Sequence, residues 1–146
     1  MEKGQQALKS LYPVGTYLAK SPVGKHLLNL VYFRVSQING CAFCLDMHSK
    51  DLRAEGETEQ RLYTLDAWRE APFYTDRERA ALAWAEAVTK ITNGTIPDEV
   101  YEAARKQFSE EELVDLTLAV TTINTYNRMN IAFRPPVGTY KVGQFS

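Results

Sequence analysis

The stretch Gln37-Ile38-Asn39-Gly40-Cys41-Ala42-Phe43-Cys44-Leu45-Asp46-Met47-His48-Ser49-Lys50 holds both cysteines of the chain and one of its two histidines. Asn39-Gly40 reads as a helix stop, because glycine adopts the left-handed conformation that ends a helix without a steric cost. The residues before it read as a helix. Ser21-Pro22 suits an N-cap followed by proline at the first helical position, and Leu27, Leu28, Leu30, Val31 and Val35 supply an apolar surface as far as about Gln37. The residues after it, from near Cys41 to about Glu55, read as a second helix ended by Gly56. A helix on each side of the cysteine pair decides the fold class. A thioredoxin-type fold places its C-x-x-C at a helix start directly after a strand. Val31-Tyr32-Phe33, the run that most resembles a strand, lies inside a capped helical pattern.

Outward from this point the same punctuation recurs. Residues 3–20 are weakly patterned, with a short helix expected before Pro13. Thr58 can cap a short helix running through Trp68, and Thr75-Asp76-Arg77-Glu78 is a capping box, a threonine followed three residues later by glutamate. The helix it opens carries Ala81, Leu82, Ala85, Val88 and Ile91 and is expected to close at Gly94. Pro97-Asp98-Glu99 starts a helix over 97–107. Ser109-Glu110-Glu111-Glu112 is a second capping box, and its acidic first turn suits the helix dipole. The helix behind it spans about 110–132, and Pro135-Pro136 ends the regular structure. No segment shows sustained alternation between turn signals. The expected fold is therefore all-α, with about six helices in one domain over 1–146, a core at about 25–135 and a tail at 137–146.

Hydrophobic residues make up 45% of the 146, enough for a packed core and too many for a disordered chain. Seventeen basic residues stand against eighteen acidic ones, so the electrostatic footprint of a nucleic-acid binder is missing. No apolar run approaches the roughly 18 residues that span a bilayer, and the N-terminus does not read as a signal peptide. A cytoplasmic protein without membrane or nucleic-acid partners is the expectation. In a reducing compartment, two cysteines three apart point to redox chemistry or to a metal rather than to a structural staple.

The spacing carries the chemistry. Cys41 to Cys44 is three residues, Cys44 to His48 four, and Cys41 to His48 seven, so all three share one helix face. Helical geometry puts the two cysteine Cα atoms roughly 5 Å apart, within disulfide reach. A thiolate is the working nucleophile, and Cys41 at the first turn meets unpaired N–H groups and the positive dipole end. His48 can take or return a proton near neutral pH. A second thiol can resolve a sulfenic acid formed on the first. The same residues permit a zinc site of Cys41, Cys44, His48 and His26, although that set follows none of the familiar ligand spacings. They also permit two core cysteines beside a surface histidine. Asn124, Asn127, Arg128 and Asn130 cluster on the last helix, where hydrogen bonding that fixes helix positions is favoured over a cleft.

Arg34 to His48 resembles the core motif of the carboxymuconolactone decarboxylase superfamily, in its alkylhydroperoxidase AhpD-like branch. Thr58 to Ala71, Glu78 to Thr89 and Ile123 to Arg128 are similar as well, so the resemblance covers roughly residues 25–135. It implies an all-α fold assembled into dimers, trimers or hexamers. It also implies a cofactor-free, metal-free enzyme, a thiol-dependent peroxidase or disulfide oxidoreductase with an antioxidant role. Its partners would be a peroxide substrate and a protein or small-thiol reductant. It assigns Cys44 as the peroxidatic cysteine and Cys41 as the more exposed, resolving one, whereas the dipole argument favours Cys41 as the more acidic thiol. The branch often carries a glutamate twelve residues before the first cysteine as part of a proton relay with the histidine. That position is Asn29, which cannot take a proton. Glu86 is the candidate replacement, against the alternative that it is a solvated residue on the polar face of its helix. The competing functional reading is a redox-sensing or interaction module with a regulatory Cys41–Cys44 disulfide. Within the resembled superfamily the true lactone decarboxylases lack the cysteine pair, which argues against that activity here.

Overall fold

A computed structural model describes residues 2–145 and shows eight α-helices and one 3-10 turn among them, with no strand. The helices are α1 (Glu2–Lys9), α2 (Tyr12–Leu18), α3 (Lys25–Asn39), α4 (Ala42–Ala54), α5 (Glu59–Tyr63), α6 (Asp76–Thr89), α7 (Asp98–Gln107) and α8 (Glu110–Phe133). The all-α expectation holds. The count exceeds six, because the N-terminal region forms two helices, the second with Pro13 in its first turn.

α3 is the central element. It packs against α4, α6 and α8, and Leu27, Leu28, Leu30, Val31, Phe33 and Val35 are buried around its circumference. A helix that buries apolar residues toward three neighbours belongs in the middle of a bundle. One apolar cluster joins α3 to α6, α7 and α8 through Val31, Val35, Trp84, Leu116 and Val120. A second joins it to α4 and the 65–82 region through Leu30, Leu52, Leu65, Trp68 and Leu82. Among the described residues no helix is long and apolar enough to cross a membrane.

The capping signals of Thr58, Thr75 and Ser109 are all realised. Each side chain accepts from the backbone N–H three residues on, and the latter two complete capping boxes. Three boundaries move. Ser21 does not cap α3. Its hydroxyl donates to Asp115 Oδ2 at 2.6 Å, and the helix begins after Gly24 at φ 98°. The helix from Thr58 stops at Tyr63, and Leu65–Ala67 continues as a 3-10 turn short of Trp68. α6 ends at Thr89 rather than at Gly94. Asn93 and Gly94 both have positive φ, the requirement of a tight Asn-Gly turn, and that turn draws Thr92 and Thr95 together. Ile91 is left exposed instead of on the core face.

The α3–α4 junction is only two residues long. Gly40 (φ 70°) sends its N–H to Gln37 O, and Cys41 sends its N–H to Ser36 O at 3.1 Å. These two bonds are a Schellman closure of α3. Cys41 is also the N-cap of α4, its Sγ accepting from the Cys44 N–H at 3.3 Å. One residue thus ends one helix and begins the next. A Cβ at Gly40 would meet no atom within 4 Å, so a substitution there probes backbone conformation alone. Gly40→Ala is expected to cost about 1–2 kcal/mol in urea unfolding and Gly40→Asn less, because asparagine tolerates the left-handed region. Equal stability of Gly40→Ala and the parent would show that the closure does not constrain the junction.

Candidate functional site

Cys41 and Cys44 stand paired as a disulfide with their Cα atoms 5.3 Å apart, and neither is a free thiol. The pairing follows from the local fold. The Schellman turn leaves Cys41 extended at the N-cap, one helical turn before Cys44. Along α4, Cys44, His48 and Leu52 form the buried stripe, so the histidine lies on the cysteine face as its spacing predicts. Both cysteines are 1% exposed. The expectation that Cys41 is the more exposed of the two is therefore not met. The closing turn tucks it against α3 rather than presenting it to solvent.

His48 departs further from expectation. Neither ring nitrogen has a hydrogen-bond partner among the described residues, and the residue is 6% exposed. Burial alone pushes its pKa down to about 4. In the paired state the imidazole is thus neutral throughout the physiological range instead of titrating near neutrality. Its ring sits 5.4 Å from that of Tyr32 on α3, at a tilt of 43°. Burial raises the Tyr32 phenol well above its ordinary value, so both rings are uncharged.

Neither relay candidate hydrogen-bonds His48. Asn29 is buried and gives its Nδ2–H to Glu55 Oε1 at 2.6 Å, beyond the far end of α4. Glu86 is 11% exposed in its side chain, so it is not the solvated residue of the alternative reading either. It accepts from Arg34 Nε at 3.0 Å, Trp68 Nε1 at 2.9 Å and Arg69 Nη1 at 2.6 Å. Burial works against its ionisation, but the three donors outweigh it and hold the carboxyl below its ordinary value. A carboxylate so saturated is a structural anchor between α3, α6 and the 65–69 turn. His26 of the zinc alternative is not brought to the cysteines. Its Nδ1 lies 2.8 Å from Glu55 and its Nε2 3.4 Å from Glu57.

The asparagines of α8 divide into two roles. Asn39 donates to Asn124 Oδ1 (2.9 Å) and Asn127 Oδ1 (3.0 Å), and Asn127 donates on to Ser36 Oγ (3.0 Å). This ladder fixes α8 against the end of α3, the positional role favoured from sequence. Arg128 braces it by donating to Asn124 Oδ1 at 2.7 Å. Asn130 instead places Nδ2 3.5 Å from Cys44 Sγ. Sequence reasoning left this contact and the Tyr32 ring unassigned. Both arise between helices, where residue spacing carries no signal.

Residues 6–87 match the model of the carboxymuconolactone decarboxylase family. The chain is 44% identical to the uncharacterized protein YdfG of Bacillus subtilis, over 90% of this chain and 89% of that one. It superposes at TM-score 0.87, with 41% identity and 93% of each chain covered, on a protein of unknown function from Agrobacterium tumefaciens for which an AhpD antioxidant defence role has been suggested. It also shares its fold with an alkylhydroperoxidase AhpD core, an uncharacterized peroxidase-related protein from Ralstonia eutropha JMP134. There the TM-score is 0.76 and the identity 20%, over 90% of this chain and 72% of that one.

The burial of His48 has a consequence for acid stability. The unfolded chain takes up the histidine proton near pH 6.5 and the folded chain only near pH 4, so the unfolded state binds more protons between them. The contribution of neutral His48 is complete above pH 6.5 and is lost as the pH falls to about 4, a loss of roughly 3 kcal/mol. The difference between urea-unfolding curves of the parent and His48→Phe should show this slope. Parallel pH profiles for the two would mean that the imidazole is hydrated or partnered in solution.

Proposed function

The chain belongs to the carboxymuconolactone decarboxylase family, and from that premise we propose that it is a thiol-dependent peroxidase working through Cys41, Cys44 and His48. The observation that carries this reading is the buried Cys41–Cys44 pair at the start of α4, with His48 on the same face. In the reduced state the Cys44 sulfur attacks the distal oxygen of a peroxide. The O–O bond breaks, leaving Cys44 as a sulfenic acid and releasing an alcohol. The thiol proton reaches the departing alkoxide through the His48 imidazole. The buried imidazole is so weak a base that His48 passes the proton on without retaining it. The Cys41 thiol then displaces water from the sulfenic acid to form the disulfide. Two equivalents of a thiol reductant, or one dithiol, return the pair to the starting state by exchange.

The enclosure of both sulfurs favours a small peroxide over a bulky protein disulfide as the oxidant. Neither Asn29 nor Glu86 enters this scheme. Cytoplasmic, antioxidant work fits a pair that must be kept reduced to act. Homo-oligomerisation is part of the same proposal. Trp84, Tyr101, Leu113, Val114 and Leu118 line an apolar groove beside α8 that a second copy would cover.

Reduced protein should consume an alkyl hydroperoxide in the presence of dithiothreitol, and Cys44→Ser should abolish this. Cys41→Ser should give a single burst and leave Cys44 as a sulfenic acid that forms a dimedone adduct. Retained turnover in Cys44→Ser, with the adduct on Cys41, would reverse the two roles. A parent that cycles between dithiol and disulfide without consuming peroxide would leave the regulatory disulfide as the function.

A further inference from the structure

We propose that Asn130 of α8 is the residue that holds negative charge on the Cys44 sulfur, donating its Nδ2–H to Sγ from outside the helix that carries the cysteines. The inference rests on the redox reading of the pair and adds a residue to it.

The two sulfurs have different donors. Cys41 Sγ receives the backbone N–H of Cys44 at the helix N-cap, a donor built into α4. Cys44 Sγ receives a side-chain amide, Asn130 Nδ2 at 3.5 Å, across 86 residues of sequence. A disulfide or thiol sulfur is a weak acceptor, but a thiolate is a strong one, because a hydrogen bond to an ionised group is about twice as strong as a neutral one. The contact therefore gains most of its strength when Cys44 ionises. The step is an ionisation only. With no peroxide present the thiol proton leaves to solvent, the charge stays on Sγ, and Asn130 keeps its own proton.

The surroundings leave this task to Asn130. Among the charged groups of the helices meeting there, Arg34 is committed to Glu86, Asp46 to Lys50 at 2.9 Å, and Arg128 to Asn124. Tyr32 and His48 are uncharged. Among the described residues no cation is paired to the sulfur, so a neutral donor is what the site offers. Asn130 is set apart from its neighbours Asn124 and Asn127, whose amide N–H groups are spent on Thr89 of α6 and Ser36 of α3. It is also half-buried, so its amide is partly withdrawn from competing water.

The test isolates one thiol at a time. In reduced protein carrying Cys41→Ser, the ultraviolet absorbance of the Cys44 thiolate is followed against pH. Adding Asn130→Ala should raise the midpoint by about one unit, that is, about tenfold less thiolate at neutral pH. Asn130→Asp, close in shape but with a carboxylate facing the sulfur, should raise it further and covers the case in which the alanine variant folds poorly. In protein carrying Cys44→Ser, the Cys41 midpoint should not move with Asn130→Ala. An unmoved Cys44 midpoint in either variant overturns the assignment, as does an equal shift at Cys41, which would mark a general loosening of the junction. The measurement involves no peroxide, so failure of the peroxidase reading and failure of this one are distinguishable.

Discussion

The left-handed turn at Gly40 is the constraint on which the site depends. It lets the chain close α3 with two backbone bonds and open α4 at the next residue, with Cys41 serving both helices. That economy fixes the sulfur positions relative to the central helix. Cys41 is held extended by the α3 closure, Cys44 is held by the first turn of α4, and the spacing between them follows from the backbone. The asparagine ladder from Asn39 to Asn124 and Asn127 then ties α8 to the same junction, which brings Asn130 against Cys44.

The site is uncharged by construction. Among the described residues His48 has no partner on either nitrogen, Tyr32 faces it with a phenol that does not ionise near neutrality, and the carboxylates of Asp46 and Asp51 pair with Lys50 and Tyr140. The donors that reach the sulfurs are N–H groups instead: the first turn of α4 for Cys41 and the Asn130 amide for Cys44. The position where relatives in the resembled branch carry a glutamate is used here for architecture. Asn29 anchors Glu55, which also binds His26, and among the described residues no carboxylate hydrogen-bonds His48.

What was legible in the sequence was what local bonds decide. Thr58, Thr75 and Ser109 cap as they read, because each bond closes within three residues. The cysteine–histidine stripe was legible for the same reason, since one helix carries it. Misreadings occur where a distant partner competes. Ser21 had the composition of an N-cap, but Asp115, 94 residues away, takes its hydroxyl. Glu86 read as either relay or solvated residue, and the three donors that make it neither come from Arg34, Trp68 and Arg69. Burial of the histidine, and with it the loss of its neutral-range titration, depends on how α3 and α4 meet, which residue spacing does not encode.

The central claim is that Cys41 and Cys44 act as one two-electron couple set by the junction rather than as two independent thiols. Its most direct test is redox equilibration of the protein in thiol–disulfide buffers of graded ratio, followed by acid quenching, alkylation and counting of free thiols by mass spectrometry. The account predicts that both thiols appear together, with a slope of about 30 mV per tenfold change in the equilibrium. Two thiols that alkylate fully at every poise, or that appear at separate potentials, would contradict it.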